Sequence, residues 1–259
     1  MGSKKRKRLE ATVATIQRRW GLKALRRGKP VDATSKFPHI PTGFPSLDQA
    51  LVGIGGIPRG RLTELLGAPT SGMVTLALKI IANAQANGDT AAYVDLGGTF
   101  DPDYAARCEV NLTRLLLVRP KTGPEALEIV QSLIAGRGVG VLVFEAVPQL
   151  LADPHGFRTL ATVLRQLPQF LAKSPCAPIF LTPLQFGDVM STANYPSGFA
   201  LPHYATVRLL LEKERWLQKG RDIRGYRARV LVLKNKLGAA GKSTTISITF
   251  NGVVRGDST

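Results

Sequence analysis

The segment of this chain best equipped for chemistry is Gly67-Ala68-Pro69-Thr70-Ser71-Gly72-Met73-Val74. It follows an apolar run of strand character, Leu62 to Leu66, and opens a helical one. Glycines at this spacing, between a strand and a helix, are the setting in which backbone N–H groups and a helix N-terminus hold phosphate. Phosphoryl chemistry then requires a lysine for the terminal phosphates and a hydroxyl for a magnesium ion at the next two positions. Met73 and Val74 stand there instead. Thr75, one residue on, points about 100° away around the helix, and Pro69 removes one N–H from the loop. A glycine-bounded loop also serves as a plain strand-to-helix turn, so these residues alone leave both readings open.

The second chemical feature is charge. Thirty-five Lys and Arg against 18 Asp and Glu give a net charge of +17, and the excess sits at two places. Residues 1–30 hold 11 cations and one acid, residues 204–259 hold 12 and four, and the middle is nearly neutral. Such clustering suits a polyanion, because neutralising phosphates releases counterions and that release dominates nucleic-acid affinity. Lys4, Lys5, Arg6, Lys7 and Arg8 form a basic arm, and Arg208, Arg227 and Arg229 belong to the second cluster. Solvated surface charge is the other reading of both. Cys108 and Cys176 are far apart and lack neighbours at metal spacing, which excludes a disulfide framework and a zinc site. The longest apolar runs, such as Val139 to Phe144, are too short for a bilayer, and the N-terminus is charged where an export signal would be apolar.

These features need elements to hold them. Leu9, Val13, Ile16 and Trp20 recur at helical spacing, with Gly28 and Pro30 as the expected stop. A Pro/Gly-rich linker is expected up to Pro45. From Arg61 onward short apolar strands alternate with amphipathic helices, which implies a parallel sheet covered on both faces. The strands near Ala205 to Leu211, Tyr226 to Lys234 and Thr244 to Phe250 follow one another through turns, so the sheet should finish antiparallel.

Several segments in order carry a resemblance to the bacterial RecA recombinases, from about Leu9 to Val254. They are Thr42 to Asp48, Gly55 to Arg61, the glycine loop, Asp101-Pro102-Asp103-Tyr104-Ala105, Thr122 to Ile129 and Val232-Leu233-Lys234-Asn235-Lys236. The resemblance implies a role for each matching position. The catalytic glutamate falls at Gly97, with Asp95 a misplaced substitute, and the metal-organising aspartate falls at Glu145. The γ-phosphate sensor falls near Thr182-Pro183, with Gln185 two residues late. Tyr104 matches the aromatic that stacks on adenine and Asp101 its polar neighbour, although helix capping by Asp101 and a half-buried Tyr104 would explain both. Lys234 and Lys236 match a pair that reaches the neighbouring protomer's nucleotide, against which stands a solvated strand face. Leu9, Val13, Ile16 and Trp20 match the oligomerisation helix. Tyr195 and Phe199 lie in a Gly/Ser/Asn-rich segment where the family has a DNA-binding loop, and are placed to stack on bases or to fold back on the core.

The expected fold is therefore α/β, a RecA-like P-loop NTPase fold with a mostly parallel, helix-covered sheet ending in antiparallel strands. Residues 1–30 form the arm and oligomerisation-type helix, 31–45 a linker and 46–259 the core, without the family's C-terminal domain. The expected function is a non-hydrolysing, DNA-binding accessory protein of repair and homologous recombination that modulates RecA filaments. Alternatives are a protein adaptor similar to the ImuA group in SOS translesion synthesis, and an ATP-dependent recombinase with a divergent site. No cofactor or metal is required on this reading, residual ATP binding aside. The expected partners are single-stranded DNA, RecA or a second copy through the N-terminal helix, and a translesion polymerase, in a cytoplasmic setting without membrane.

Overall fold

Strands without polar alternation must be covered on both faces, and this chain builds that cover from the helices between them. A computed structural model describes residues 2–25, 28, 37–145, 147–184, 200–251 and 253–255. It divides into two units, Met1–Ser35 and Lys36–Thr259.

In the first unit, α1 (Gly2–Trp20) is one helix. Lys4 to Arg8, expected as a flexible arm, instead forms its first turns: Lys and Arg are good helix formers, and Arg6 pairs with Glu10 one turn on at 3.3 Å. The helix stops earlier than Gly28, because Gly21 takes a left-handed φ of 87° directly after Trp20. Leu9, Val13, Ile16 and Trp20 share a face, and within this unit they find no core to enter, Leu9 and Trp20 being exposed.

The second unit starts earlier than expected. β1 (His39–Ile40) pairs with β2 (Ile57–Pro58), and α2 (Pro45–Ala50) lies between them. Residues 37–45 were expected to be linker, yet Ile40 and Phe44 are fully buried. The glycine and prolines that suggest a linker serve a tight turn, which Asp48 holds by accepting the Thr42 N–H at 3.0 Å.

The alternation follows as expected: β3 (Thr63–Gly67), α3 (Met73–Ala86), β4 (Ala91–Val94), α4 (Pro102–Arg107), β5 (Leu115–Val118), α5 (Gly123–Gly136) and β6 (Val141–Phe144). Then come α6 (Val147–Ala152), α7 (Pro154–Leu171), β7 (Ala177–Pro183), α8 (Leu201–Tyr204), β8 (Val207–Lys219), β9 (Asp222–Asn235), β10 (Ser243–Asn251) and β11 (Val253–Arg255). One nine-stranded sheet has the order β11-β10-β9-β8-β3-β7-β6-β4-β5. It is parallel from β8 to β5 and antiparallel from β8 to β11. Caps fix the helix starts: Thr122 accepts from the Glu125 N–H at 3.3 Å, and Asp153 from the His155 and Gly156 N–H groups at 3.0 Å.

Successive strand residues point to opposite faces. Val141 and Val143 enter the core cluster of α2 and α3, while Leu142 and Phe144 enter that of α5 and α7. Phe144 stacks on Phe180 of β7 with ring centres 4.7 Å apart. The exception to this apolar lining is Glu64 on β3, which is fully buried. Its carboxylate accepts from Arg208 Nε of β8 at 2.6 Å and from the Thr182 hydroxyl of β7 at 2.9 Å. Arg208 is thereby removed from the surface cluster in which charge counting had placed it.

Breaking a buried pair from one side strands a charge and costs about 3–5 kcal/mol. Arg208→Ala should lower the urea midpoint by that equivalent, while Arg229→Ala, on the exposed side of β9, should shift stability by under about 0.5 kcal/mol. Equal midpoints for the two variants would show that the Glu64 pair carries no stability.

Candidate functional site

The glycine loop joins β3 to α3 below an overhanging hairpin. β8 runs alongside β3, with Leu211 opposite Gly67, and continues past the sheet edge to Lys219 before β9 returns. Both glycines are held by packing. A Cβ on Gly67 would lie 2.6 Å from the Leu211 carbonyl, and Gly72, with φ 102°, would bring one to 2.9 Å from the Tyr226 hydroxyl. Within the loop the Ser71 N–H donates to the Ala68 carbonyl at 3.0 Å and is turned inward.

Loop and hairpin enclose a cavity of about 510 Å³. Met73 is buried at its base and Val74 lines it, so no side-chain cation stands at the head of α3. The Thr75 hydroxyl shares hydrogen bonds with the hydroxyls of Tyr104 at 2.7 Å and Tyr226 at 3.4 Å. Trp216 meets Tyr226 edge-on at 6.0 Å, and Phe250 packs at 5.8 Å from Tyr226. Lys213 lies at the rim, its Nζ 4.1 Å above the Trp216 ring and 3.5 Å from the Thr70 hydroxyl. The walls are mainly aromatic and aliphatic, with Thr70, Ser71 and Thr75 polar on the loop side and Thr99, Glu145 and Gln149 polar elsewhere.

The carboxylates have structural partners. Glu145 accepts a short hydrogen bond from the Tyr93 hydroxyl. Burial pushes its pKa up, the nearby Asp95 adds to this, and the Tyr93 bond opposes it. Asp95 is buried and accepts from the Thr99 N–H at 2.8 Å and the Phe100 N–H at 3.2 Å, with Arg119 at 3.4 Å. It fixes the turn after β4, and both of its oxygens accept hydrogen bonds. Asp101 caps α4, accepting from the Tyr104 N–H at 2.9 Å, as its capping reading expects. Tyr104 both packs at half-burial and walls the cavity, and burial raises its hydroxyl to about 12.

The expected nucleic-acid residues fall in separate stretches of the chain. Lys4 to Arg8 lie on α1 of the first unit, and Tyr195 and Phe199 fall outside the described residues. Arg227 is half-buried with its Nε unpartnered among the described residues, and Arg229 is exposed opposite Glu212. Lys234 and Lys236 lie at the other end of the strands from the glycine loop. Lys234 Nζ donates to the carbonyls of Pro202 at 2.6 Å and His203 at 3.1 Å, and Lys236 Nζ to that of His203 at 3.1 Å. They hold the C-terminal end of α8, where cations are favoured. Burial depresses the Lys234 pKa, helped by Lys236 and Arg208 and opposed by Glu64. The sequence reading missed Trp216, Tyr226 and Phe250. Their signal was parity: Tyr226 shares the inward set of Ala228, Val230 and Val232. Among the described residues no cluster could hold a metal ion and no helix is long and apolar enough to cross a membrane.

A family model described as RecA N-terminal domain matches residues 7–255. Protein RecA of Herpetosiphon aurantiacus is 37% identical over 265 residues, covering 95% of this chain and 72% of that protein. Protein RecA of Chloroflexus aurantiacus is 37% identical over the same length, at 95% and 74%. That of Geobacter sulfurreducens is 36% identical over 268 residues, at 96% and 78%. Matches of this extent, over a sheet of the expected order and direction, establish that the chain belongs to the RecA family.

Proposed function

We propose that this chain is a non-hydrolysing RecA-family protein that acts in recombination and repair by binding DNA and joining RecA filaments. Family membership supports the process; the observation that carries the non-hydrolysing reading is the side-chain set at the head of α3. The family implies a magnesium nucleotide there, and the residues fit it poorly. Met73 and Val74 offer no cation and no hydroxyl, and Thr75 is engaged by two tyrosines. Pro69 brings no N–H to the loop, and the Ser71 N–H is turned inward. Phosphoryl transfer depends on positioned charge around phosphates and metal, and the position of the catalytic glutamate holds Gly97, while Asp95 is tied to the Thr99 and Phe100 N–H groups.

The purified chain should release no phosphate from ATP above the buffer rate, with or without single-stranded DNA. DNA-stimulated release would overturn the proposal. Affinity for a single-stranded oligonucleotide should fall steeply with salt. Replacing Lys4, Lys5, Arg6, Lys7 and Arg8 by alanine should reduce the log–log slope by up to about 3.5, at about 0.7 for each phosphate no longer neutralised. Absence of DNA binding at low salt would favour the protein-adaptor reading instead.

The lysine pair supplies the link to RecA on this proposal, facing the nucleotide of an adjoining RecA protomer while this chain's own loop ends the series. Lys234→Gln with Lys236→Gln keeps donors for the α8 carbonyls and removes the charge. The double variant should lose the protein's effect on RecA's ATP hydrolysis, and an unchanged effect would remove the pair from the interface.

A further inference from the structure

We infer that the cavity between the glycine loop and the β8–β9 hairpin receives an unstacked base of a nucleic-acid strand whose phosphates run along the hairpin. This rests on the DNA-binding reading above and names the place where one base is held.

Two properties of the hairpin bear on the cavity. Between Lys213 and Arg229 it carries seven cations against two acids, and among the described residues only Arg224 of these cations is in an ion pair, with Asp222 at 3.3 Å. An excess of unpaired cations on a two-stranded projection is complementary to a phosphate backbone. Beside them stands Trp216, 46% exposed, its ring forming the rim of the cavity. Tyr226 and Phe250 continue the aromatic wall inward, and Thr99, Glu145 and Gln149 are polar elsewhere in the lining. Aromatic walls with polar groups are what a base needs, since its faces stack and its edge forms hydrogen bonds. The volume of about 510 Å³ is in the range of small-ligand pockets.

The charge distribution selects a base on a strand over a free nucleotide. A free nucleoside triphosphate would bring its phosphates into the loop, where Met73 and Val74 replace cationic and hydroxyl groups. A strand leaves its phosphates outside, on the hairpin, and inserts only the uncharged base. A polyglutamate-like acidic peptide would satisfy the cations but gains nothing from the aromatic walls.

The test uses the full chain carrying Trp20→Phe, so that Trp216 is the sole tryptophan reporter. Binding of a labelled 16-residue oligothymidylate is followed by anisotropy and, separately, Trp216 emission by quenching. The expected result is binding accompanied by quenching, with an abasic phosphodeoxyribose strand of equal length, ATP and polyglutamate all failing to quench. Stacking of one base accounts for about a 5- to 150-fold loss of oligothymidylate affinity in Trp216→Ala, and Trp216→Phe should recover most of it. Trp216 is exposed, so these variants leave the core intact. Binding without quenching, or equal quenching by the abasic strand, ATP or polyglutamate, would overturn the inference while DNA binding stands. Absence of any binding would overturn both.

Discussion

The carboxylate of Glu64 is the constraint on which the rest of the structure turns. It sits on the strand that leads into the glycine loop, where no water reaches it. A buried charge must be paired and hydrogen-bonded or its cost is several kcal/mol. Arg208 on β8 and Thr182 on β7 provide those bonds from the strands on either side. Because each partner sits at a set position on its strand, the pair ties the register of three parallel strands that apolar packing alone would hold with less discrimination. The alignment of Leu211 with Gly67 follows, and with it the position of the hairpin above the loop.

The chain has the family fold, and its glycine loop carries packing demands of its own. Gly67 and Gly72 remain under demands that concern packing: the Leu211 carbonyl and the Tyr226 hydroxyl approach too closely for a side chain. The glycines therefore survive whether or not phosphate binds, and on their own they are no evidence of nucleotide. The positions that only phosphate needs are those that hold Met73 and Val74.

The parallel sheet, its helices and its antiparallel finish were legible because they follow from periodicity, a property summed over many residues. The Gly67–Gly72 turn was legible from its flanking elements. What escaped depended on how the chain folds back on itself, over short separations as well as long ones. Arg208 counts as surface charge until Glu64, 144 positions earlier, is placed beside it. Asp95 reads as a spare carboxylate until the N–H groups of Thr99 and Phe100 fold onto it. The stretch from 37 to 45 has a linker's composition, and only the burial of Ile40 and Phe44 reveals a structured turn. Lys234 and Lys236 share a face, as alternate strand residues must, but that the face meets the end of α8 is a matter of topology.

A cavity with aromatic walls would ordinarily be closed by its own side chains, because exposed apolar surface costs about 25 cal/mol per Å². Here the root of the hairpin is fixed, because β8 pairs with β3 up to Leu211 and Arg208 meets Glu64 within that stretch. The same buried pair that secures the sheet thus anchors the strand from which the hairpin projects. Trp216 stays at the cavity rim, nearly half exposed, supported by Tyr226 and Lys213. An open apolar site is one whose surface a ligand recovers, and the charge around it decides which. With cations outside the cavity and none at its base, the favoured arrangement places an uncharged planar group within and anionic groups along the hairpin.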